Sequence, residues 1–220
     1  MVYDFHAHTF LSDGELSPAE LIRRAEVAGY AAIALTDHAA AGTLENAIAA
    51  ATKDCDLTGR YWKIKAIPGV ELTHIPPESI AELAQRAKSL GAKIVVVHGE
   101  TLSEPVLPGT NLAAVRCPEV DILAHPGLLT PEEAALAAEN GVFLELSARA
   151  GHSLGNGRVA SLALAAGAKL LVDSDTHSPG DLLNAIHQLN VARAAGLSEE
   201  EAEQVVSNNA LALLQRIKAS

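Results

Sequence analysis

Short β-rich runs alternate with helical stretches seven times along the chain. The runs fall at residues 2–6, 31–36, 63–72, 93–98, 120–125, 142–147 and 169–174. Strand followed by helix, repeated, is the pattern of a parallel sheet carrying helices on its outer faces. Helix starts are legible at Ser17-Pro18-Ala19-Glu20, Thr130-Pro131-Glu132-Glu133 and Ser198-Glu199-Glu200-Glu201. Each offers an N-cap oxygen and a carboxylate three residues on. Gly29, Gly91, Gly141, Gly167 and Gly196 each follow an apolar periodic run and mark helix exits. Two layouts satisfy this pattern, an open doubly wound sheet and a closed β/α barrel. A dinucleotide fold calls for a glycine-rich turn after the first strand, and His6-Ala7-His8-Thr9 stands there instead. No Pro/Gly/Ser-rich linker interrupts the 220 residues, so one domain spanning 1–220 is expected.

Histidine placement points to chemistry. Six of the nine histidines, His6, His8, His38, His98, His125 and His177, lie at or just past the C-terminal end of a predicted strand. In a parallel β/α fold those ends share one face, where sites are built. Glu71 and Asp175 sit at equivalent places, Asp13 follows the first strand, and Glu145 lies within the sixth. Residues two apart on a strand point the same way, so His6 with His8 and Asp175 with His177 can each present a pair inward. Mixed imidazole and carboxylate donors suit Zn, Mn or Fe. Their number exceeds the needs of one tetrahedral ion, so two or three divalent ions are expected.

The ordered set His6-Ala7-His8, Thr36-Asp37-His38, Gly69-Val70-Glu71, Val97-His98-Gly99, Ala124-His125-Pro126 and Ser174-Asp175-Thr176-His177 resembles the motifs of the PHP (polymerase and histidinol phosphatase) superfamily. The segments 97–101 and 151–157 resemble its stand-alone, histidinol-phosphatase-like members. The resemblance implies a distorted (β/α)7 barrel, with parallel strands and outer helices, and a trinuclear metal centre. It implies that His6, His8, Glu71 and Asp175 hold one ion. Glu71 would bridge to a second ion completed by His98 and His125, and Asp13, His38 and His177 would hold a third. Many relatives carry His where Asp13 stands; a carboxylate there makes the third site harder.

The expected activity is hydrolysis of a small phosphomonoester by direct attack of a metal-bound hydroxide, without a phospho-enzyme. Glu71, Asp175 and His177 would be central to the reaction. Arg149 is the first choice for gripping a phosphate. His152, Asn156, His74, Glu100 and Arg158 are further substrate-contact candidates, and Asp4 is a candidate to orient a ligand imidazole. Glu145 reads as a buried, partnered carboxylate, and His187, within a helix expected over 181–195, as structural. Cys55 and Cys117 form no CxxC pair and read as inert packing residues in a reducing, cytoplasmic setting. The start shows no signal peptide, and no membrane association is expected. A net charge of −11 and only seven aromatic residues disfavour nucleic acid as a partner. The expected partner is a small phosphorylated molecule. Alternatives are a nucleotide or nucleic-acid phosphoesterase of the same superfamily, an amidohydrolase-like C–N hydrolase, and a non-catalytic metal-binding module. The C–N hydrolase commonly needs a carboxylated lysine on a middle strand, and Lys93 begins its strand far from the mouth.

Overall fold

A computed structural model describes residues 1–219. Seven parallel strands form a nearly closed barrel with helices outside. The strands are β1 (Val2–Asp4), β2 (Tyr30–Leu35), β4 (Lys65–Leu72), β5 (Ile94–His98), β6 (Ile122–Ala124), β7 (Phe143–Ser147) and β8 (Leu170–Asp173), hydrogen-bonded in that order. A two-residue strand β3 (His38–Ala39) pairs with the upper end of β4. The principal outer helices are α1 (Pro18–Val27), α2 (Leu44–Thr58), α3 (Ile80–Ser89), α4 (Thr110–Val115), α5 (Pro131–Asn140), α6 (Asn156–Ala166) and α7 (Ala185–Ala194). Among the described residues, no helix is long and apolar enough to cross a membrane.

Strands covered on both sides read as continuous apolar runs rather than alternating ones. In β2, Ala32 and Ala34 face the barrel interior, while Ile33 and Leu35 pack against the helices. The interior holds Phe5, Ile67, Ile94, Val96, Ile122, Phe143 and Leu171. The C-terminal arm consists of α8 (Glu199–Glu203), a π-helical turn (Gln204–Asn209) and α9 (Ala210–Ala219), and α9 closes the lower end of the interior. Leu213 and Ile217 of α9 pack onto the interior strand residues. Arg216 ties α9 to Asp121 at the foot of the barrel.

The expected helix signals hold with informative differences. All five exit glycines adopt positive φ. The reciprocal capping box closes at Thr130 and Ser198. At Ser17 only the hydroxyl caps, because the Glu20 carboxylate is taken by Arg24 one turn on, at 2.8 Å. The helix expected over 181–195 begins at Ala185. Ser178 and Asp181 close a separate 3-10 turn before it, and Asn184 supplies the cap. His187 is exposed in the first turn of α7 and does not line the mouth.

The barrel has a seam between β1 and β8. Near the top they meet through a single parallel bridge, Ala7 to Thr176, with His8 N–H donating to Thr176 O at 2.8 Å and Asp175 N–H to His6 O at 3.0 Å. Lower down, side chains replace the ladder. Phe5 N–H donates to Asp173 Oδ1 at 2.7 Å, and Ser174 N–H donates to Asp4 Oδ1 at 3.1 Å. Gln188 of α7 donates to Tyr3 O at 2.7 Å and Val172 O at 2.9 Å, one carbonyl from each strand. Asp4 therefore orients backbone across the seam; the expectation that it steers an imidazole is corrected, since its bonded oxygen serves main-chain N–H groups. Burial raises the pKa of Asp4 to about 6 and pushes Asp173 well above the carboxylate range.

Candidate metal centre

All nine expected ligands gather at the C-terminal mouth of the barrel. Glu71, fully buried at the upper part of β4, is the hub. Its Oε1 faces His6 Nε2 at 3.4 Å and His125 Nε2 at 3.7 Å. Its Oε2 faces His38 Nδ1 at 2.6 Å and His8 Nε2 at 3.6 Å. A carboxylate with each oxygen among different imidazoles is placed to bridge two ions. Asp175, past β8, puts Oδ1 3.3 Å from His8 and 3.8 Å from His6. Its Oδ2 lies 2.8 Å from His152 Nδ1 and 3.8 Å from His125. Asp13 lies 3.2 Å from His177 Nε2 and 3.6 Å from His38 Nε2. The loop carrying Asp13 is stapled by Asp37, which accepts from Thr9 N–H at 2.7 Å and Ser12 Oγ at 2.9 Å.

The donor set fits divalent ions. His6 Nε2, His8 Nε2 and Glu71 Oε1 are buried with no hydrogen-bond partner. Buried polar atoms are nearly always satisfied, and leaving them bare is costly. Each of these three atoms belongs to a residue in a group that could hold a metal ion, and a ligated cation would satisfy it. Donor atoms of His8, Asp13, His38 and His177 lie within 4.8 Å of one another, as do those of His6, Glu71 and His125, and those of His6, His8 and Asp175. Two of the candidate ligands sit in backbone conformations uncommon for non-glycine residues, His125 at φ 29° and Asp175 at φ 53°. Such positions cluster at functional sites.

Electrostatics follow the same map. Burial opposes ionisation of Glu71, yet the imidazoles of His6, His38 and His98 hold it well below the usual range. Asp175 behaves alike: burial is outweighed by His6, His152 and His8. Burial keeps His8 neutral, down to about 3, and pushes His125 well below its ordinary value. His6 goes the other way: against burial, Glu145, Glu71 and Asp175 raise it. Glu145 on β7 is the buried, partnered carboxylate expected. Its Oε2 takes His6 Nδ1 at 2.6 Å, which turns Nε2 toward the cluster.

The mouth opens into a cavity of about 470 Å³ lined by residues including Asp13, His38, His74, Glu104, Arg149, His152, Asp175 and His177. Arg149 donates from Nη1 to Asp175 O at 3.3 Å. His152 reaches the cluster itself, its donor atom grouping with those of His125 and Asp175. Three expected substrate contacts are spent elsewhere. Glu100 accepts Gly109 N–H at 2.9 Å and Asn111 N–H at 3.0 Å. Asn156 exchanges hydrogen bonds with the Ser147 backbone, and Arg158 Nε donates to Leu129 O at 2.7 Å. Among the described residues, none of these three lines the cavity. Glu104, absent from the sequence reading, does. Its Oε2 lies 3.2 Å from His98 Nε2 and 3.3 Å from His74 Nε2, and its Oε1 lies 3.1 Å from His152 Nε2. The His98 contact draws the Glu104 carboxyl down to about 2 against the opposing effect of burial. Lys93 borders a separate cleft with Lys88, Asp121 and Arg216 at the opposite end, as the argument against a carboxylated lysine requires.

A family model for the PHP domain matches residues 4–141. An uncharacterized protein of Methanocaldococcus jannaschii is 48% identical over 99% of this chain and 100% of its own length. A ribonuclease P protein component 3 from Methanosarcina barkeri is 31% identical over 93% of this chain and 85% of its own length. A 5'-3' exoribonuclease of Haemophilus influenzae is 37% identical, over 48% of this chain and 41% of its own length. A chain from the structure of archaeal ribonuclease P with mature tRNA superposes with a TM-score of 0.74 at 14% identity, covering 98% of this chain and 91% of that one. The named relatives, a ribonuclease P protein component and an exoribonuclease, overturn the expectation that the partner is a small phosphorylated molecule and that nucleic acid is disfavoured. The physical reason is that net charge sums the whole surface, whereas recognition responds to the local field. Cations in a site dominate that field.

Proposed function

The chain belongs to the PHP domain family, and from that premise we propose that it is a metal-dependent phosphoesterase acting on RNA or nucleotide phosphates. One observation carries the reading: the convergence of Glu71, Asp175 and seven further donors at the barrel mouth, with buried nitrogens left unpartnered. The ribonuclease likenesses favour RNA or nucleotides over histidinol phosphate.

His6, His8, Glu71 and Asp175 would hold one ion. Glu71, His98 and His125 would hold a second, and Asp13, His38 and His177 a third. Bound there, divalent ions supply Lewis acidity toward phosphoryl oxygens and offset the charge that develops on them. The protein does the positioning. Glu145 fixes the His6 tautomer at Nδ1. Arg149 donates from Nη1 to Asp175 O and retains its other N–H donors for a phosphate oxygen at the cavity wall. The Asp37 staple holds the Asp13 loop in place.

The test is a release assay with Zn, Mn or Fe over 5'-phosphorylated RNA oligomers, mononucleotides, nucleoside bisphosphates and histidinol phosphate. Turnover is expected on RNA or nucleotides, and Glu71→Ala and His125→Ala are expected to lower it by more than about a hundredfold. Activity surviving both substitutions, or confined to histidinol phosphate, refutes the reading. The near full-length likeness to ribonuclease P component 3 favours a second reading, a subunit of an RNA–protein assembly. RNA binding that persists without turnover in the metal-loaded protein would select it.

A further inference from the structure

The segment between β5 and α4 is clamped at its two ends by backbone contacts and exposed between them. Glu100 gathers the N–H groups of Gly109 and Asn111, and Glu100 N–H donates to Asn111 Oδ1 at 2.9 Å. Asn111 Nδ2 in turn donates to Pro126 O at 2.8 Å. Between these clamps, residues 102–105 and 107–108 are exposed, Leu102 and Leu107 among them. From the middle of this flap the Glu104 side chain reaches back into the mouth.

Its two oxygens are held as a bound oxyanion would be. Three imidazoles from three different segments surround them: His74 after β4, His98 at the end of β5, and His152 after β7. The contacts run from 3.1 to 3.3 Å. A phosphate presents paired oxygens with a similar spread and more charge, so it makes stronger charge-assisted hydrogen bonds than a carboxylate. The slot also opens on the cavity that Arg149 lines.

We propose that His74 and His152, beside the ion that His98 would hold, form the slot for the substrate's terminal phosphate, and that Glu104 fills this slot until a phosphate displaces it. The proposal rests on the phosphoesterase reading and names the group that the site takes, a terminal phosphomonoester. Glu104 is then an internal competitor. A ligand that binds only the open form has its dissociation constant raised by the inverse of the open fraction. If the flap is closed about nine-tenths of the time, apparent phosphate affinity is about tenfold below that of an open slot.

Calorimetric titration of inorganic phosphate into the metal-loaded protein tests this, alongside elemental analysis of bound metal. Glu104→Gln and Glu104→Ala are expected to keep the wild-type metal content and to bind phosphate about tenfold more tightly. His74→Gln is expected to bind it more weakly than wild type. Loss of one metal equivalent in both Glu104 variants would make Glu104 a ligand and overturn the proposal. Phosphate affinity unchanged or weakened in both would overturn it too. Binding is read here without turnover. A protein that hydrolyses no RNA or nucleotide phosphate therefore counts against the phosphoesterase reading, and unchanged phosphate affinity in an active protein counts against the slot alone.

Discussion

Glu145→Gln separates what holds the fold from what holds the metals. Glu145 is fully buried, and its Oε2 lies 2.6 Å from His6 Nδ1. When His6 serves a cation it must be neutral, with the proton on Nδ1 and Nε2 as the donor. A carboxylate behind a ligating imidazole fixes that tautomer and raises its basicity, and its loss commonly costs about 10–100-fold in metal affinity. The amide oxygen of Gln still accepts the Nδ1 proton but brings no charge. The expected loss is therefore about tenfold, or about 1.4 kcal/mol. Glu145→Leu removes the acceptor as well, and about a hundredfold is expected.

The metal-free protein should respond differently. Stripping a buried ion of its partner costs about 3–5 kcal/mol. His6 is not stripped, because Glu71 and Asp175 remain 3.4 and 3.8 Å from its Nε2. Unfolding of metal-free Glu145→Gln is expected within about 1 kcal/mol of wild type. Competition titration against a chromogenic chelator gives the affinity, and denaturant unfolding in excess chelator gives the stability. Metal affinity within twofold of wild type would refute the reasoning. So would a metal-free protein weakened by more than about 3 kcal/mol, since the pair would then be a pillar of the fold.

Stability should also depend on pH in a way that metal reverses. Burial disfavours the charged forms of His38 and His152, but Glu71 and Asp13 around the first, and Asp175 and Glu104 around the second, raise both above the ordinary value. A raised imidazole contributes stability fully present below about pH 6.5 and lost as pH climbs through its folded value. His8 and His125, held neutral, complete their opposite contribution by about pH 6.5. Metal-free protein should therefore weaken from about pH 6.5 upward, and divalent metal, which needs neutral imidazoles, should stabilise more over the same range. Denaturant unfolding from pH 6 to 9 checks this; metal-free stability rising across that range would refute it. Gly99→Ala places a Cβ 2.2 Å from Ala124 O and 2.9 Å from Pro126 Cα, both backbone atoms with no rotamer to give way. It is expected to cost about 1–3 kcal/mol and to weaken metal binding beside His98, read by thermal unfolding and metal stoichiometry. Wild-type values for both would show that the close approach is relaxed at no cost.

Much of the barrel was legible because burial on both faces leaves Val, Ile, Leu and Ala in unbroken runs, as at residues 94–97. Most of the candidate ligands were legible because they end or closely follow such a run, whereas Asp13 lies in the loop beyond the first. Closure was not, because nothing local to residues 2–4 or 170–173 says that Asp4, Asp173 and Gln188 will stitch them together. Strand β3 is two residues long and gives no period to detect. Glu100 drew attention by its nearness to His98, yet its carboxylate is consumed by backbone N–H groups. Glu104 lies four residues further along, in an exposed stretch ending in Pro105, and its role exists only because the segment curls back. Its signal was a second carboxylate in the same post-strand loop.

The seam sets an order of events during synthesis. Phe5 and Asp173, which bond across it, are 168 residues apart. At ~5–20 residues per second, a ribosome needs about ten to thirty seconds to deliver the second after the first. His6 and His8 thus wait in the nascent polypeptide while everything between them and Asp175 is made. The first ion cannot find its full set of donors until the eighth strand emerges, so cation capture should seal the ring rather than nucleate it.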